Sequence, residues 1–401
     1  MKPSAESKRN LTEGGGVPQA VSSRKQKKEE KARRKQEKYY TASQWQLMWR
    51  KLLKHKLAMA SAVVLIILYL GAAFAPFIAP QGLEDYSSSA SNMPPTQLHF
   101  VHDGEFIGPF IYRYDVERDE MRNKVFVEDT SQPYPLKFFV HGIPYKLFGV
   151  FESDLHLYGV DNTNLPEGQE PLQFMPFGAD QLGRDLFSRI IIGSQVSLTV
   201  PLLGTLISFV LALIIGGISG YYGGWIDTVI QRIVEVLSSF PTLPLWMALS
   251  AAIPAGIPVV QVYIWITLIM SLMGWTGLSR TVRSQFLALK KEDYVTAARL
   301  AGVSDMKIII KHLVPGFMSY LIVNLTLGIP NMILGETSMS FLGLGMRAPA
   351  TSWGVLLQEC QNVSNIANCP WKLIPLIFVA ISILAFNFLG DGLRDAADPY
   401  K

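Results

Sequence analysis

The chain has 401 residues, of which nearly half are hydrophobic and only 17% are charged. This composition excludes an ordinary soluble domain and favours a protein whose solvent is a lipid bilayer. The net charge of +4 hides a strong segregation of charges. Residues 1–56 hold sixteen Lys and Arg against five Glu, whereas residues 81–175 hold six Lys and Arg against fifteen Asp and Glu.

The basic block 1–56 ends directly at an apolar stretch. Because Lys and Arg beside a spanning segment stay on the cytoplasmic side, we expect residues 1–56 to form a cytoplasmic arm that is attracted to lipid headgroups. A nucleic-acid-binding tail is the alternative for such a basic run. Residues 57–79 carry no charge and are numerous enough to cross the hydrocarbon core, so they are predicted to form transmembrane helix 1.

Five more spans are predicted in a membrane core at residues 176–401. The second lies at about residues 196–220. The uncharged stretch 236–279 is too long for one crossing, and Pro254 and Pro258 divide it into two spans, because proline removes a backbone donor and clashes inside a helix. Residues 313–335 and 373–390 complete a set of six, which places both termini in the cytoplasm.

Residues 81–175 are too long and too mixed in composition for a simple linker. Apolar clusters such as the one at residues 138–151 are broken by Gly and Pro, a pattern that is typical of short strands. The fold class predicted is therefore an all-α membrane protein with six transmembrane helices and a small β-rich extracytoplasmic domain inserted after helix 1.

Residues 292–315 connect the predicted fourth and fifth spans. Tyr294 to Ala301 favours a helix, and Gly302 supplies the left-handed residue that ends helices. Ser304 is placed to cap a second short helix, and Pro315 suits the first turn of the fifth span. The alternative interpretation is an ordinary solvated connector.

Residues 292–315 resemble the signature loop of ABC importer permeases, which reads Glu-Ala-Ala, three residues, Gly, nine residues, Ile-x-Leu-Pro. We call these residues the coupling loop. Ala297, Ala298, Gly302 and Pro315 occupy their places in that pattern, which is departed from at Thr296, His312 and Val314. The resemblance implies that the loop docks on a separate ATPase and transmits its closure to the membrane helices. The residues that it assigns to this contact are Asp293, Tyr294, Ala297, Ala298, Arg299, Gly302 and Pro315.

Three further stretches, at residues 177–198, 220–232 and 335–345, resemble segments of dipeptide and oligopeptide permeases. The long arm and the insertion resemble the C-type subunit of such systems, with the type I importer permease fold. The resemblance implies oligopeptide cargo, with dipeptides, nickel complexes or other peptide-like solutes as alternatives. A multi-pass location in a bacterial plasma membrane follows from it as well.

The same resemblance implies the partners: a second permease subunit forming a heterodimer, two cytoplasmic ATP-binding subunits, an extracytoplasmic peptide-binding protein, and membrane lipid, but no nucleic acid. The sequence has no Gly-x-x-x-x-Gly-Lys-Ser/Thr loop. We therefore expect no enzyme activity and no cofactor on this chain, with ATP and Mg bound by the partner subunits. A stand-alone secondary transporter and a membrane-anchored receptor are the alternatives of other classes.

Two sets of ionisable residues invite a functional interpretation. Asp180, Arg184, Asp185 and Arg189 could form an acid–base set, but alternating charges beside a membrane favour an interfacial ion-pair network. Glu336 falls at the predicted outer end of the fifth span. There it could line or gate a pathway, or it could anchor the loop that follows.

Cys360 and Cys369 are the only cysteines, and both lie in the predicted exterior loop between the fifth and sixth spans. Oxidising surroundings permit a disulfide there. Two unpaired thiols are the alternative.

Overall fold

The computed structural model describes residues 44–118, 120, 124–163, 165, 170–254, 256–346 and 350–398. The predicted N-terminal arm lies outside the described residues up to residue 43. Most of the described chain is helical. Its α-helices are α1 (Gln44–Lys54), α2 (Lys56–Ala73), α3 (Ala75–Ile78), α4 (Leu186–Tyr222), α5 (Gly224–Ser239), α6 (Thr242–Ala251), α7 (Val259–Leu289), α8 (Asp293–Leu300), α9 (Asp305–Ile308), α10 (Val314–Gly316), α11 (Met318–Phe341), α12 (Trp353–Leu357), α13 (Val363–Asn368) and α14 (Ile374–Ala397).

Five helical segments are long and apolar enough to cross a membrane. They are α2, α4, α7, α11, and α14 together with the short turn that precedes it. The pair α5 and α6 meets the same criteria jointly but is bent by 85°. The described residues thus form five apolar spans, or six if the bent pair counts as one span. This agrees with the prediction of a mostly helical membrane protein.

The predicted third span is not one straight helix. α5 ends at Ser239 and α6 begins at Thr242, with Phe240 and Pro241 in extended backbone between them. Pro241 has no N–H to continue the helix, and it forces the residue before it out of the helical region. The predicted break at Pro254 and Pro258 is confirmed, because α7 begins directly after Pro258.

α4 packs most extensively against α7, and glycines permit the close approach at one end of the pair. A Cβ on Gly220 would lie 2.7 Å from the carbonyl oxygen of Arg283 and 2.7 Å from the Cβ of Phe286. Such contacts are shorter than carbon atoms tolerate, so only glycine lets the two helix backbones meet here. α14 packs against α2 and α11 and completes the helical layer around α4.

The described residues of the insertion after α3 form one antiparallel sheet. Its strands follow chain order as β1 (His99–His102), β2 (Glu105–Arg118), β3 (Lys124–Leu147) and β4 (Phe151–Val160). β3 pairs with β4 with Phe138 opposite Tyr158 and Leu147 opposite Phe151. The expected β-rich insertion is therefore a small four-stranded meander.

Hydrogen bonds tie the insertion to the membrane helices. The buried ring of His156 on β4 lies 2.9 Å from the carbonyl oxygen of Ala79, just after α3. Lys372, immediately before α14, donates to the side-chain oxygen of Asn92 over 2.7 Å. The sheet is therefore held at one end of the helices rather than tethered loosely.

Candidate functional site

The coupling loop folds as two short helices joined by a tight turn. α8 ends at Leu300, and Gly302 adopts a φ of +76°. The N–H of Gly302 donates to the carbonyl of Arg299, and the N–H of Val303 donates to the carbonyl of Ala298. This pair of bonds is a Schellman motif, which satisfies carbonyls that a helix end leaves without partners. The predicted left-handed role of Gly302 is confirmed.

The second half of the loop begins at Ser304 and runs into α11. Ser304 stands at the N-cap of α9, but its hydroxyl makes no capping bond. A π-helical turn over Ile309–Leu313 follows, and Pro315 lies in the short helix α10 before Met318 opens α11. Phe317 leaves the helical region between α10 and α11, so the loop is joined to the spanning helix by short helical turns and a one-residue break.

The base of the coupling loop is fully buried. Val295, Ile308 and Leu313 have no exposed surface, and they pack in one cluster with Val282 and Phe286 of α7. Each such side chain contributes roughly 1.5–3 kcal/mol when removed from water. The loop is therefore a rigid extension of the helical core.

A polar contact links the loop to the last turn of α4. The Tyr221 hydroxyl donates to the carboxylate of Asp305 over 2.5 Å, and the Arg299 guanidinium lies 3.3 Å from the same hydroxyl. Lys290, at the end of α7, donates to the carbonyl of Gly220 over 3.0 Å. The ends of α4 and α7 and the loop thus form one unit.

The outward surface of the loop is apolar where it is most exposed. Leu300 is 85% exposed, and Met306 and Ile310 are also exposed. Asp293, Ala297, Arg299, Gly302 and Pro315 are exposed as well, whereas Ala298 is half-buried in the cluster at the base. Exposed apolar groups on a rigid, mostly polar segment are typical of a surface that contacts another protein.

Tyr294, another residue predicted to contact the ATPase, is exposed at the start of α8. Its ring lies 6.5 Å from that of His312, which is half-buried. Tyr294 thus lies at the surface of the loop, with the His312 ring beside the Tyr294 ring.

Glu336 lies in α11 with no exposed surface. Ser340 donates to one carboxylate oxygen over 2.7 Å, and Ser197 of α4 lies 3.4 Å from the other. Ser197 also accepts the backbone N–H of Trp353 over 2.9 Å. The carboxylate thus joins α4 and α11 to the start of α12.

The charged set around the start of α4 forms the ion-pair network that its sequence favours. The buried carboxylate of Asp180 accepts the Arg184 guanidinium over 2.7 Å and also pairs with Arg189. Asp185 has a different part, since its carboxylate caps α4 by accepting the N–H groups of Phe187 and Ser188. Both roles are structural.

Cys360 and Cys369 are free and buried. The Cys360 thiol donates to the carbonyl of Lys372 over 3.4 Å. Burial raises the pKa of both thiols above the ordinary value. A disulfide between them stays a prediction.

Two residues of these clusters escaped the sequence analysis. Lys372 is almost fully buried and pairs with Glu359 over 3.0 Å, although a single Lys beside an apolar run gives no signal of such a contact. Tyr221 lies in a segment that resembled other permeases, yet nothing in that pattern indicates its bond to Asp305.

Comparison with known families decides the class of protein. The model of the "binding-protein-dependent transport system inner membrane component" family matches residues 185–400, and that of the "N-terminal TM domain of oligopeptide transport permease C" matches residues 43–95. The chain belongs to the first of these families. It is a multi-pass membrane permease of an ABC importer.

Individual relatives agree with this permease assignment. The permease is 31% identical over 353 residues to the dipeptide transport system permease protein DppC of Bacillus subtilis, with 88% of this chain and 84% of that protein covered. It is 41% identical over 224 residues to the oligopeptide transport system permease protein OppC of Haemophilus influenzae, covering 56% and 70% of the two chains. A solved structure of the inward-facing MetNI methionine ABC transporter has a TM-score of 0.42 at 17% identity over 53% of this chain and 97% of that chain.

Proposed function

We propose that this permease carries peptides across a bacterial plasma membrane, with oligopeptides as the main class. The similarity to permeases named for dipeptide and oligopeptide transport supports this cargo. Dipeptides and other peptide-like solutes are the alternatives within the same mechanism.

The observation that carries the mechanism is the coupling loop, with its fully buried base and its exposed apolar surface. In this proposal the exposed side chains of Leu300 and Met306 pack into a groove of an ATP-binding subunit. The buried side chain of Val295 fixes the loop to the helical core. Because the loop joins α7 to α11 and contacts the end of α4, a displacement at its surface is passed to three spanning helices. Closure of an ATPase dimer that holds the loop would reorient those helices.

The orientation follows from charge. The segment 280–312 holds seven Lys and Arg against three Asp and Glu, which favours the cytoplasmic side for the coupling loop. The insertion at 81–175, with fifteen acidic against six basic residues, then lies outside, and both termini lie in the cytoplasm. There the insertion is on the side from which a binding protein would deliver cargo.

The working assembly contains two permease subunits, two ATP-binding subunits and an external peptide-binding protein. ATP and Mg bind to the ATP-binding subunits, and this permease contributes no catalytic group. Specificity for particular peptides rests largely on the binding protein.

The first test is purification of the tagged permease from its native membrane in mild detergent, with mass spectrometry of the proteins that accompany it. We expect a second permease and ATP-binding proteins with phosphate loops. A permease that is recovered alone and still transports would overturn the proposal.

The second test places a charge on the exposed surface of the loop. Leu300→Asp should leave the permease in the membrane but lower the recovery of ATP-binding subunits at least tenfold, because docking would bury the new carboxylate. Val363→Asp is the matched control, since Val363 is similarly exposed on α13, away from the loop. Equal loss of ATP-binding subunits in both variants would contradict the docking role.

A further inference from the structure

The hairpin of β3 and β4 presents apolar side chains at the end of a spanning helix, three of them at or beside its turn and Phe139 within β3. Phe148 and Val150 are 61% and 74% exposed, and Phe139 and Phe151 are exposed as well. We call these four residues the hairpin patch. Side chains of this kind are costly to leave in water, so the patch needs a cover.

The position of the patch is fixed by two ring contacts. The Phe148 ring lies 5.9 Å from that of Phe74, which ends α2, and the Phe139 ring lies 6.3 Å from that of Phe77 in α3. These two ring contacts join the sheet to the end of the first spanning helix and to the short helix that follows it.

The length of α2 sets the depth of the patch. α2 has 18 residues and begins at Lys56, so it is about 27 Å long. A hydrocarbon core is about 30 Å thick, so Phe74 lies near the boundary between acyl chains and headgroups. Phe148 touches Phe74 and therefore lies at the same level.

The backbone of the hairpin holds these rings in place at a conformational cost. Phe139 and Phe148 have φ values of +56° and +53°, in the left-handed region that bulky side chains avoid. They are also the two residues whose rings reach Phe77 and Phe74. Strain of this kind persists where the surroundings reward the position that it enforces.

Charges directly behind the turn limit how deep the patch can lie. Lys146 pairs with Glu152 over 3.0 Å, and both side chains are largely exposed. Apolar faces that carry Phe side chains bury about 5–10 Å into the boundary between headgroups and acyl chains, and a long Lys side chain can reach up to headgroups. The interface, rather than the hydrocarbon centre, suits this combination of groups.

We propose that the hairpin patch inserts into the interface of the leaflet in which α2 ends, and that lipid is its cover. The sheet is then held at a fixed height and tilt on the membrane by α2 and the patch together. The proposal is independent of the cargo that the permease carries.

The test measures the depth of nitroxide labels in the assembled transporter in lipid nanodiscs. Cys360 and Cys369 are replaced by Ser, and single cysteines are placed at Phe148, Val150 or Phe106. Phe106 is the matched control, because it is 76% exposed beside the β1–β2 turn. We expect labels at residues 148 and 150 to collide with oxygen several times more often than with a water-soluble nickel complex, and the label at residue 106 to show the reverse.

Two results would overturn the proposal. Labels at residues 148 and 150 that the nickel complex reaches as readily as the label at 106 would place the patch in water. Labels that neither reagent reaches would mean that a protein partner covers the patch.

A second measurement needs no substitution. The unaltered transporter is illuminated in nanodiscs that contain a lipid with a photoreactive group near its headgroup, and the modified peptides are identified by mass spectrometry. We expect adducts within residues 138–151, and their absence alongside adducts on α2 would contradict lipid contact.

Discussion

The guanidinium of Arg283 binds both carboxylate oxygens of Asp227, with each nitrogen–oxygen distance at 2.5 Å. The pair joins α7 to α5 beside the helix ends that hold the coupling loop. Ser219 of α4 donates to the same carboxylate over 2.5 Å, so three helices meet at one acidic side chain. Bidentate pairs of this geometry are stronger than single contacts between exposed charges.

Removal of either partner should destabilise the permease. Arg283→Ala leaves a half-buried carboxylate without its cation, and we expect a loss of roughly 1–3 kcal/mol, seen as an unfolding midpoint lowered by several degrees. Asp227→Ala should act similarly, and the double variant should lose little more than the worse single variant. The midpoint of the purified complex in detergent checks this.

Arg232 and Glu235 provide the control for that pair. They form a 2.7 Å ion pair on α5, where residues three apart face each other, but both side chains are mostly exposed. Arg232→Ala should change the midpoint by a degree or less, because exposed pairs contribute little. A drop as large as that of Arg283→Ala would mean that exposure does not decide the difference.

At position 302, a substitution should be tolerated to the extent that the new residue type adopts the left-handed backbone conformation. Among the described residues, no atom lies within 4 Å of a Cβ built on Gly302, so the constraint is its φ of +76° and not space. Gly302→Asn should keep most transport, whereas Gly302→Val should cost about 1–2 kcal/mol in the turn and lower both ATPase recovery and uptake. Gly302→Asp should insert normally but lose docking through its charge. Uptake assays in membranes with equal permease content compare the three, and unchanged uptake in Gly302→Asp would remove the coupling assignment.

Substitutions of Glu336 distinguish a role in anchoring the helices from a role in the transport pathway. Glu336→Gln keeps an oxygen for the Ser340 hydroxyl, so an anchor predicts nearly normal transport and midpoint. Glu336→Leu removes the acceptor and should cost roughly 1–3 kcal/mol. Asn331→Leu, at an exposed position of the same helix, should be neutral. If Glu336→Gln abolished uptake without changing the midpoint, the charge itself would be required and the pathway role would stand.

The two thiols should react slowly with maleimide in the folded permease. Burial hinders access, and it raises the pKa of Cys360 and Cys369, so the reactive thiolate is scarce at pH 7 and its fraction keeps growing beyond pH 9.0. Mass spectrometry should find rapid modification of both after unfolding without reductant. Thiols that stay unmodified until reductant is added would instead reveal the disulfide.

Much of the membrane architecture could be read from the sequence because charge-free stretches and proline breaks have direct physical meaning in a bilayer. The ends of the spans were less predictable. α4 begins at Leu186, ten residues before the predicted start, since its cap at Asp185 lies in a charged segment that apolarity alone cannot assign to the helix. The bend at Pro241 was not predicted, because Pro241 lies within a long uncharged stretch that was divided at Pro254 and Pro258 instead.

Within the site, the sequence predicted features that depend on local backbone geometry. It did not predict contacts between residues that are far apart in the sequence. Gly302 ends a helix as its residue type predicts. Tyr221 and Asp305 are 84 residues apart, and Lys372 and Asn92 are 280 apart. Nothing near either residue in the sequence encodes such a pair, because tertiary packing alone brings them together.

α4 has 37 residues and is therefore about 55 Å long, well beyond the thickness of the hydrocarbon core. Its first turn belongs to the Asp180 network and its last turn to the coupling loop, so one rod connects opposite faces of the protein. Pro201 lies inside the rod about 30 Å from Tyr221 and removes one backbone hydrogen bond, so a bend of the helix there would act through a long arm. A swing of about ten degrees there carries the far end through about 5 Å, roughly one helical turn. This lever arm turns a small change of angle into a displacement as large as an amino-acid side chain.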